Sequence, residues 1–381
     1  MRKFLSIVLV LVVLSCSKES EMRSEKEVVF KVGYEPVSVL SGYYKDESLL
    51  YFTDPATTQQ IKLFDLKGNF KDSISLTEVI NQYPEIADIH IFSLDTIVVT
   101  SRYINRISVL NRNGKIWKQL DLDNKVIDSE QNKYWLQQSS FASPNKEKDR
   151  LVYHSEWRGN LIDDAKDKTP NKTEEYIKYF NRKSYDSYVF VSVEGLFGSK
   201  PKLTFGLKDF YHEINDDPFY LIGGMFTIVK DYIYVFRYFS DNIFIIDKNT
   251  LELINKVKLT SAYTTIGIKP PVTSEDFDYL KTVSRQKGTI QRLLYDETKD
   301  EFYVILTKDI KKEKEEGSFR PFVVQCYDKN FKLKVEKEFG ASKYSPFIAY
   351  LVEGELMLYK KNNNSNSLKN GEQIFEFFNF N

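Results

Sequence analysis

The sequence predicts an all-β chain folded as a β-propeller of six blades behind a lipoprotein signal peptide, with seven blades as the alternative count. Three observations point there: a strand–turn–strand unit that recurs along the chain, strands apolar on both faces, and strand-like segments at the two ends that can pair with each other.

The N-terminus comes first. Arg2 and Lys3 precede an apolar run, Phe4 to Leu14, which ends at Ser15-Cys16. As a helix that run measures about 16 Å at ~1.5 Å per residue, too short for a hydrocarbon core of ~30 Å. Its order of positive, apolar and small residues is that of an export signal. The thiol changes the outcome: cleavage before Cys16, with acylation of its sulfur and its new amine, gives several chains, and two or more hold a protein stably on a bilayer. Residues 1–15 are therefore read as signal peptide and 16–27 as acylated cysteine and solvated tether. Ser17-Lys18-Glu19-Ser20-Glu21 also resembles the short acidic export signal of surface lipoproteins of Bacteroidetes, with Ser20 interrupting the acidic pair. The expected location is the outer membrane, lipid-anchored, at the cell surface or on the periplasmic face.

The body is read as one propeller domain over 28–381. Ile61–Asp65 runs into Leu66-Lys67-Gly68 and a second strand at Ser73–Leu76. The same unit returns at Ile107–Asn111 with Arg112-Asn113-Gly114, at Ile243–Asp247 with Lys248-Asn249-Thr250, and at Val324–Asp328 with Lys329-Asn330. Each is an apolar strand, an Asx-led turn and a returning strand. A further strand precedes each unit: Leu49–Phe52, Ile97–Thr100, Leu151–His154, Ile233–Phe236, Phe302–Leu306 and Leu356–Tyr359. The third unit, around Tyr188–Val191, lacks the Asx turn, and the gap before it holds a charged stretch near 160–183 read as an insertion with a short helix at Thr173–Phe180. Units of ~40–50 residues are the spacing of propeller blades. Ile61 and Leu63 on one face and Phe64 on the other fit strands sandwiched between neighbours. Val28–Val32 and Gln373–Phe377 can pair and close the ring. A pair of β-sandwiches is the structural alternative.

On the lipobox, the Asp65, Asn111, Asp247 and Asp328 hairpins and the unit count, the chain resembles the TolB-like six-bladed β-propeller lipoproteins of Bacteroidetes, among them a family known only as a domain of unknown function. The resemblance implies a fold and no particular activity, since propellers host unrelated functions.

Composition narrows the classes further. Lys and Arg number 54, as do Asp and Glu, so there is no concentrated positive field for nucleic acid. Cys326 is the second of two cysteines, so the exported body forms no internal disulfide and relies on core packing. Aromatic residues reach 15%, which favours strands.

Candidate chemistry is sparse. His90, His154 and His212 have no ligand spacing among them, and no Cys-x-x-Cys, P-loop or Gly-x-Ser-x-Gly elbow occurs. Cys326 stands in the register of Leu63, Val109 and Ile245 and is read as core. Asp163, Asp164 and Asp167, and the pair Asp216 and Asp217, lack calcium-loop spacing and are read as solvated loops. Trp135 and Trp157 are candidates for stacking on sugars, with packing the plainer role. Aligning the units places Asp54, Arg102, Glu156, Arg237, Lys308 and Lys360 at equivalent strand ends on one rim. Of these Arg102, Arg237 and Lys308, with His154 nearby, form the candidate ligand-binding set, suited to an anionic group. No catalytic residue, metal ligand or cofactor is assigned. The leading expectation is a non-catalytic binding or protein-interaction module whose partner is an envelope protein or a small ligand. The alternatives are a propeller hydrolase or lyase with an axial metal-assisted site, and a glycan-binding accessory protein.

Overall fold

A computed structural model describes residues 22–33, 40–54, 58–83, 86–101, 106–121, 134–143, 150–157, 188–206, 224–237, 240–265, 288–310, 320–340, 343–361 and 371–380. They form a β-propeller whose strands make six four-stranded antiparallel sheets. The N-terminal strand is β1 (Met22–Lys31). The first sheet is β2 (Leu40–Tyr44), β3 (Leu49–Thr53), β4 (Gln60–Asp65) and β5 (Phe70–Ser75), and the second is β6 (Ile86–Ser93), β7 (Thr96–Ser101), β8 (Arg106–Leu110) and β9 (Ile116–Asp121). The third holds β10 (Tyr134–Ser143), β11 (Arg150–Trp157), β12 (Tyr188–Glu194) and β13 (Lys202–Gly206). The fourth holds β14 (Gly224–Val229), β15 (Tyr232–Arg237), β16 (Asn242–Asp247) and β17 (Leu253–Lys258). The fifth is β18 (Ile290–Asp296), β19 (Glu301–Thr307), β20 (Phe322–Asp328) and β21 (Leu333–Phe339). The sixth is β22 (Tyr344–Val352), β23 (Glu355–Lys360) and β24 (Glu372–Phe380), completed by β1 as its outermost strand.

The first strand of each sheet is the inner one. β2, β6, β10, β14, β18 and β22 touch in that order, and β22 returns to β2. This arrangement replaces the sandwich alternative.

The strands expected before each hairpin are the second strands, β3, β7, β11, β15, β19 and β23. The Asx hairpins join third to fourth strands. The inner strands themselves carry no signal strong enough to be read from sequence. The terminal pairing is present, with Val28 opposite Phe375 and Val29 opposite Ile374. It extends further than expected: β1 begins at Met22, so residues 22–27, read as tether, are strand. A short helix at Thr77–Gln82, not anticipated, links the first sheet to the second and buries Val79. The segment near 160–183 and Cys16 lie outside the described residues.

The Asx turns are built as their sequences imply. Asp65 Oδ1 accepts from the amides of Lys67 and Asn69, both at 2.9 Å. Asn111 Oδ1 does the same for Asn113 and Lys115, and Asp328 Oδ1 for Asn330 and Lys332. Gly114 is required twice over: its φ is +76°, and a Cβ there would lie 2.1 Å from the Ser75 carbonyl of the first sheet. The turn of one sheet thus seats on the outer strand of its neighbour.

These carboxylates tie stability to pH. Burial tends to raise the Asp65 carboxyl, but hydrogen bonds from Asn69 and Lys71 outweigh it and hold the group well below the usual carboxylate range. The Thr250 amide is the main cause lowering Asp247. A carboxyl depressed on folding stabilises the protein above its unfolded value, 3.8, and loses that contribution as pH falls through the folded value. Urea unfolding should therefore show stability declining below about pH 4. Asp247→Asn, which keeps the turn acceptor without the titration, should make that decline shallower.

Packing between sheets follows the double-sided burial expected. Leu50, Phe52 and Phe64 face the sixth sheet, and Tyr51, Ile61 and Leu63 face the second. Cys326, 2% exposed, is a core residue between the fifth and sixth sheets. Phe30 of β1 is fully buried, with its ring 5.5–5.9 Å from those of Phe52, Phe64 and Phe375. Polar contacts add to this closure. Ser24 and the Tyr344 hydroxyl donate to the Glu376 carboxylate at 2.5 and 2.7 Å, while Lys360 bonds Glu27 and lies 3.5 Å from Glu376.

Candidate functional site

The strand directions give the propeller two unlike rims. One carries short turns such as 66–69, 111–115, 329–332 and 353–354, which join second to inner strands or third to fourth. At the other rim the second and fourth strands end, as at Trp157, Gly206, Lys258 and Thr307, each with a long stretch of chain before the next strand. Met22 pairs with Phe380, so the chain enters β1 at the short-turn rim.

The six inner strands are poor in charge: Asp88, His90, Arg292 and Asp296 are their only Asp, Glu, Lys, Arg or His residues. Asp88 and Arg292 are each the third residue of their strand, counted from the long-connection rim, and Ser41 is the second of β2. These groups gather around two phenols at the upper end of the axis. Tyr51 crosses the inner strand of its own sheet and donates to the Ile89 carbonyl at 2.8 Å. Gly42 makes this crossing possible, because a Cβ there would lie 2.3 Å from the Tyr51 hydroxyl. Tyr350 shares a hydrogen bond with Ser41.

Electrostatics tie the set together. Burial pushes the Tyr51 hydroxyl well above its ordinary value, Asp88 and Tyr350 push it further, and Arg292 pulls the other way. Tyr350 is raised by burial too, against Arg292 and Ser41. Both phenols stay protonated at neutral pH. His90 Nε2 lies 3.5 Å from Asp88 Oδ2. Arg292 donates from Nε at 3.1 Å and from Nη2 at 2.8 Å to one acceptor, the Phe347 carbonyl of β22. That carbonyl is turned toward it by an irregular stretch of β22, where register is lost between Tyr344 and Ala349.

The residues expected at the rim fare differently. Lys308 follows β19 at the long-connection rim, but Glu338 takes its ammonium at 2.6 Å. Lys360 is held by Glu27 and Glu376 within the sixth sheet. Asp54 is 7% exposed, and its carbonyl closes the turn to Thr58 and Gln59. Each of the two lysines is thus paired with a carboxylate of its own sheet. Arg237 ends β15, and His154 and Glu156 lie in β11 opposite Phe190 and Tyr188. Arg102 lies outside the described residues, as do His212 and the acidic clusters at 163–167 and 216–217. Trp135 and Trp157 fall in β10 and β11. His90, given no ligand role from its spacing, lies on inner strand β6 beside Asp88. Asp88, Arg292 and Phe347 escaped notice because the inner strands had not been recognised. The signal available was a charged residue inside an otherwise apolar, strand-like run.

The buried Cys326 thiol resists ionisation. Burial first, and then Glu301, pushes the Cys326 thiol up to about 12. Among the described residues no three His, Cys, Asp or Glu converge to hold a metal ion.

No protein-family model matches the chain, and no curated protein matches it in sequence. Its fold is shared with solved structures. A member of the DUF4221 family from Bacteroides vulgatus superposes with a TM-score of 0.68 at 14% identity, over 96% of this chain and 99% of that one. A calcium-binding protein, regucalcin, from Agrobacterium tumefaciens gives a TM-score of 0.48 at 9% identity, over 93% of each chain. A Bacteroides fragilis protein described as exported gives 0.47 at 12% identity, over 96% of this chain and 97% of that one. The chain is thus a β-propeller similar in fold to a Bacteroides DUF4221 protein.

Proposed function

We propose that this chain is a lipid-anchored, non-catalytic binding module of the outer membrane, built on a TolB-like propeller in which each of the six sheets is one blade. The observation that carries the reading is the separation of the two rims. The chain enters at the short-turn rim, and Asp88 and Arg292 lie toward the long-connection rim. A tether from Cys16 then puts the short-turn rim toward the bilayer and leaves the axial mouth open to a partner. Rigid strands beneath long connections are a common arrangement for recognition. The protonated phenols of Tyr51 and Tyr350 and the buried Cys326 thiol favour binding over nucleophilic chemistry.

One observation favours the axial hydrolase or lyase as a second reading: the His90–Asp88 pair resembles an oriented base. The readings part in one experiment. The protein, tagged at its C-terminus, is recovered from the membrane fraction after mild cross-linking of intact cells. A binding module brings down one component in stoichiometric amount. A partnerless protein that turns over an ester or lactone, and stops doing so as His90→Gln, would replace the module by the enzyme.

A further inference from the structure

Resting on the binding-module reading, we infer that the axial mouth is a site for a small organic carboxylate with an apolar body, held by Arg292 and lying against Phe347. Arg292 is the only cation on the six inner strands. Its Nε–Nη2 edge is spent on the Phe347 carbonyl, which fixes the plane of the guanidinium. The Nη1–Nη2 edge is the one whose two parallel N–H bonds match a carboxylate. Among the described residues nothing takes the Nη1 donors. The positioning is therefore done by protein, and the recognising edge is left for a ligand.

Charge and surface choose the ligand class. Asp88 acts on the same phenol as Arg292, so the inner strands set one cation near an acid at this end of the axis. That balance suits a monoanion and disfavours a phosphate dianion, which would meet Asp88 with a second charge. Phe347, whose carbonyl holds the guanidinium, is 47% exposed on its inner strand and so has apolar surface to offer. An exposed aromatic residue bonded through its backbone to a pre-positioned Arg gives an aryl or alkyl acid both an anion partner and apolar surface.

The test uses the full chain carrying Cys16→Ser, which avoids detergent, with phenylacetate as probe and saturation-transfer NMR and calorimetry as readouts. Phenylacetate should bind, 2-phenylethanol and phenyl phosphate more weakly. Arg292→Met should weaken phenylacetate about tenfold or more, the worth of a charge-assisted hydrogen bond. Arg292→Lys should lose less, and Phe347→Ala should weaken phenylacetate but leave acetate unchanged. If Arg292→Met fails to fold, the Lys and Ala variants decide by the same comparison. No binding of phenylacetate, or binding unaffected by these variants, overturns the inference. Retention of the cross-linked component by Arg292→Met in that case would leave the binding module standing and remove only the carboxylate site. Loss of both the component and the acid would remove the two together.

Discussion

Phe30→Ala should lower the unfolding free energy by about 3–5 kcal/mol, the range for removing a fully buried aromatic from a core. The ring sits on the N-terminal strand yet packs on Phe52 and Phe64 of the first sheet and Phe375 of the sixth. It therefore joins the two ends of the chain across the seam of the ring. Around it β1 is held chiefly by polar contacts and the ladder to β24: Val29 is 39% exposed, and Lys26 lies 4.3 Å over the Phe377 ring. Without Phe30 the main-chain ladder to β24 remains, but little apolar surface stays buried beneath it. Loosening β1 would also leave β24 as an unpaired edge. Urea denaturation should show the loss, and limited proteolysis should cut within 22–31 before the rest of the body. Ile254→Ala, at a position 56% exposed, is the control and should change stability by no more than about 0.5 kcal/mol.

Cys16→Ser should move the protein wholly from the membrane fraction to the soluble fraction. Each buried methylene of an acyl chain contributes about 0.8 kcal/mol to membrane binding, so removing all chains at once leaves no graded remainder. The variant should keep its melting temperature, because the described fold begins at Met22. Metabolic labelling with a fatty acid, present in the parent and absent in the variant, checks the chemistry directly. Membrane retention of the variant would mean that Cys16 is not the anchor.

What could be read in advance follows the strength of each local pattern. The third strands were plain because both faces are buried: Ile61, Leu63 and Phe64 leave no polar alternation to confuse. Their turns were plain because Asp65, Asn111 and Asp328 each supply two acceptor bonds to the amides ahead. Several inner strands are masked in sequence by broken register, although β2 and β14 pair without a shift. β6 breaks register between Ile86 and Asp88 and again between Ile91 and Ser93. β18 breaks it between Ile290 and Arg292, and β22 holds Pro346 inside its irregular stretch. A bulge interrupts the period of two on which strand recognition depends. Those same bulges aim Arg292 and the Phe347 carbonyl at each other, so the feature that positions the candidate site also erased its sequence signal. The lysines at the rim misled for a simpler reason. Charge at a strand end was legible, but the partners of Lys308 and Lys360, Glu338 on β21 and Glu27 on β1, depend on which strands lie side by side.

On this reading the propeller binds a partner through the rim of the axial mouth and not through the rim where its first strand begins. Site-specific photo-cross-linking in intact cells tests it most directly, with the photoreactive residue placed at Tyr263 on the long-connection rim or at Leu333 on the short-turn rim. Both positions are exposed, at 45% and 40%. A discrete adduct from Tyr263 and none from Leu333, other than to lipid, is the predicted result. A protein adduct formed from Leu333 alone would mean that the partner docks on the short-turn rim instead.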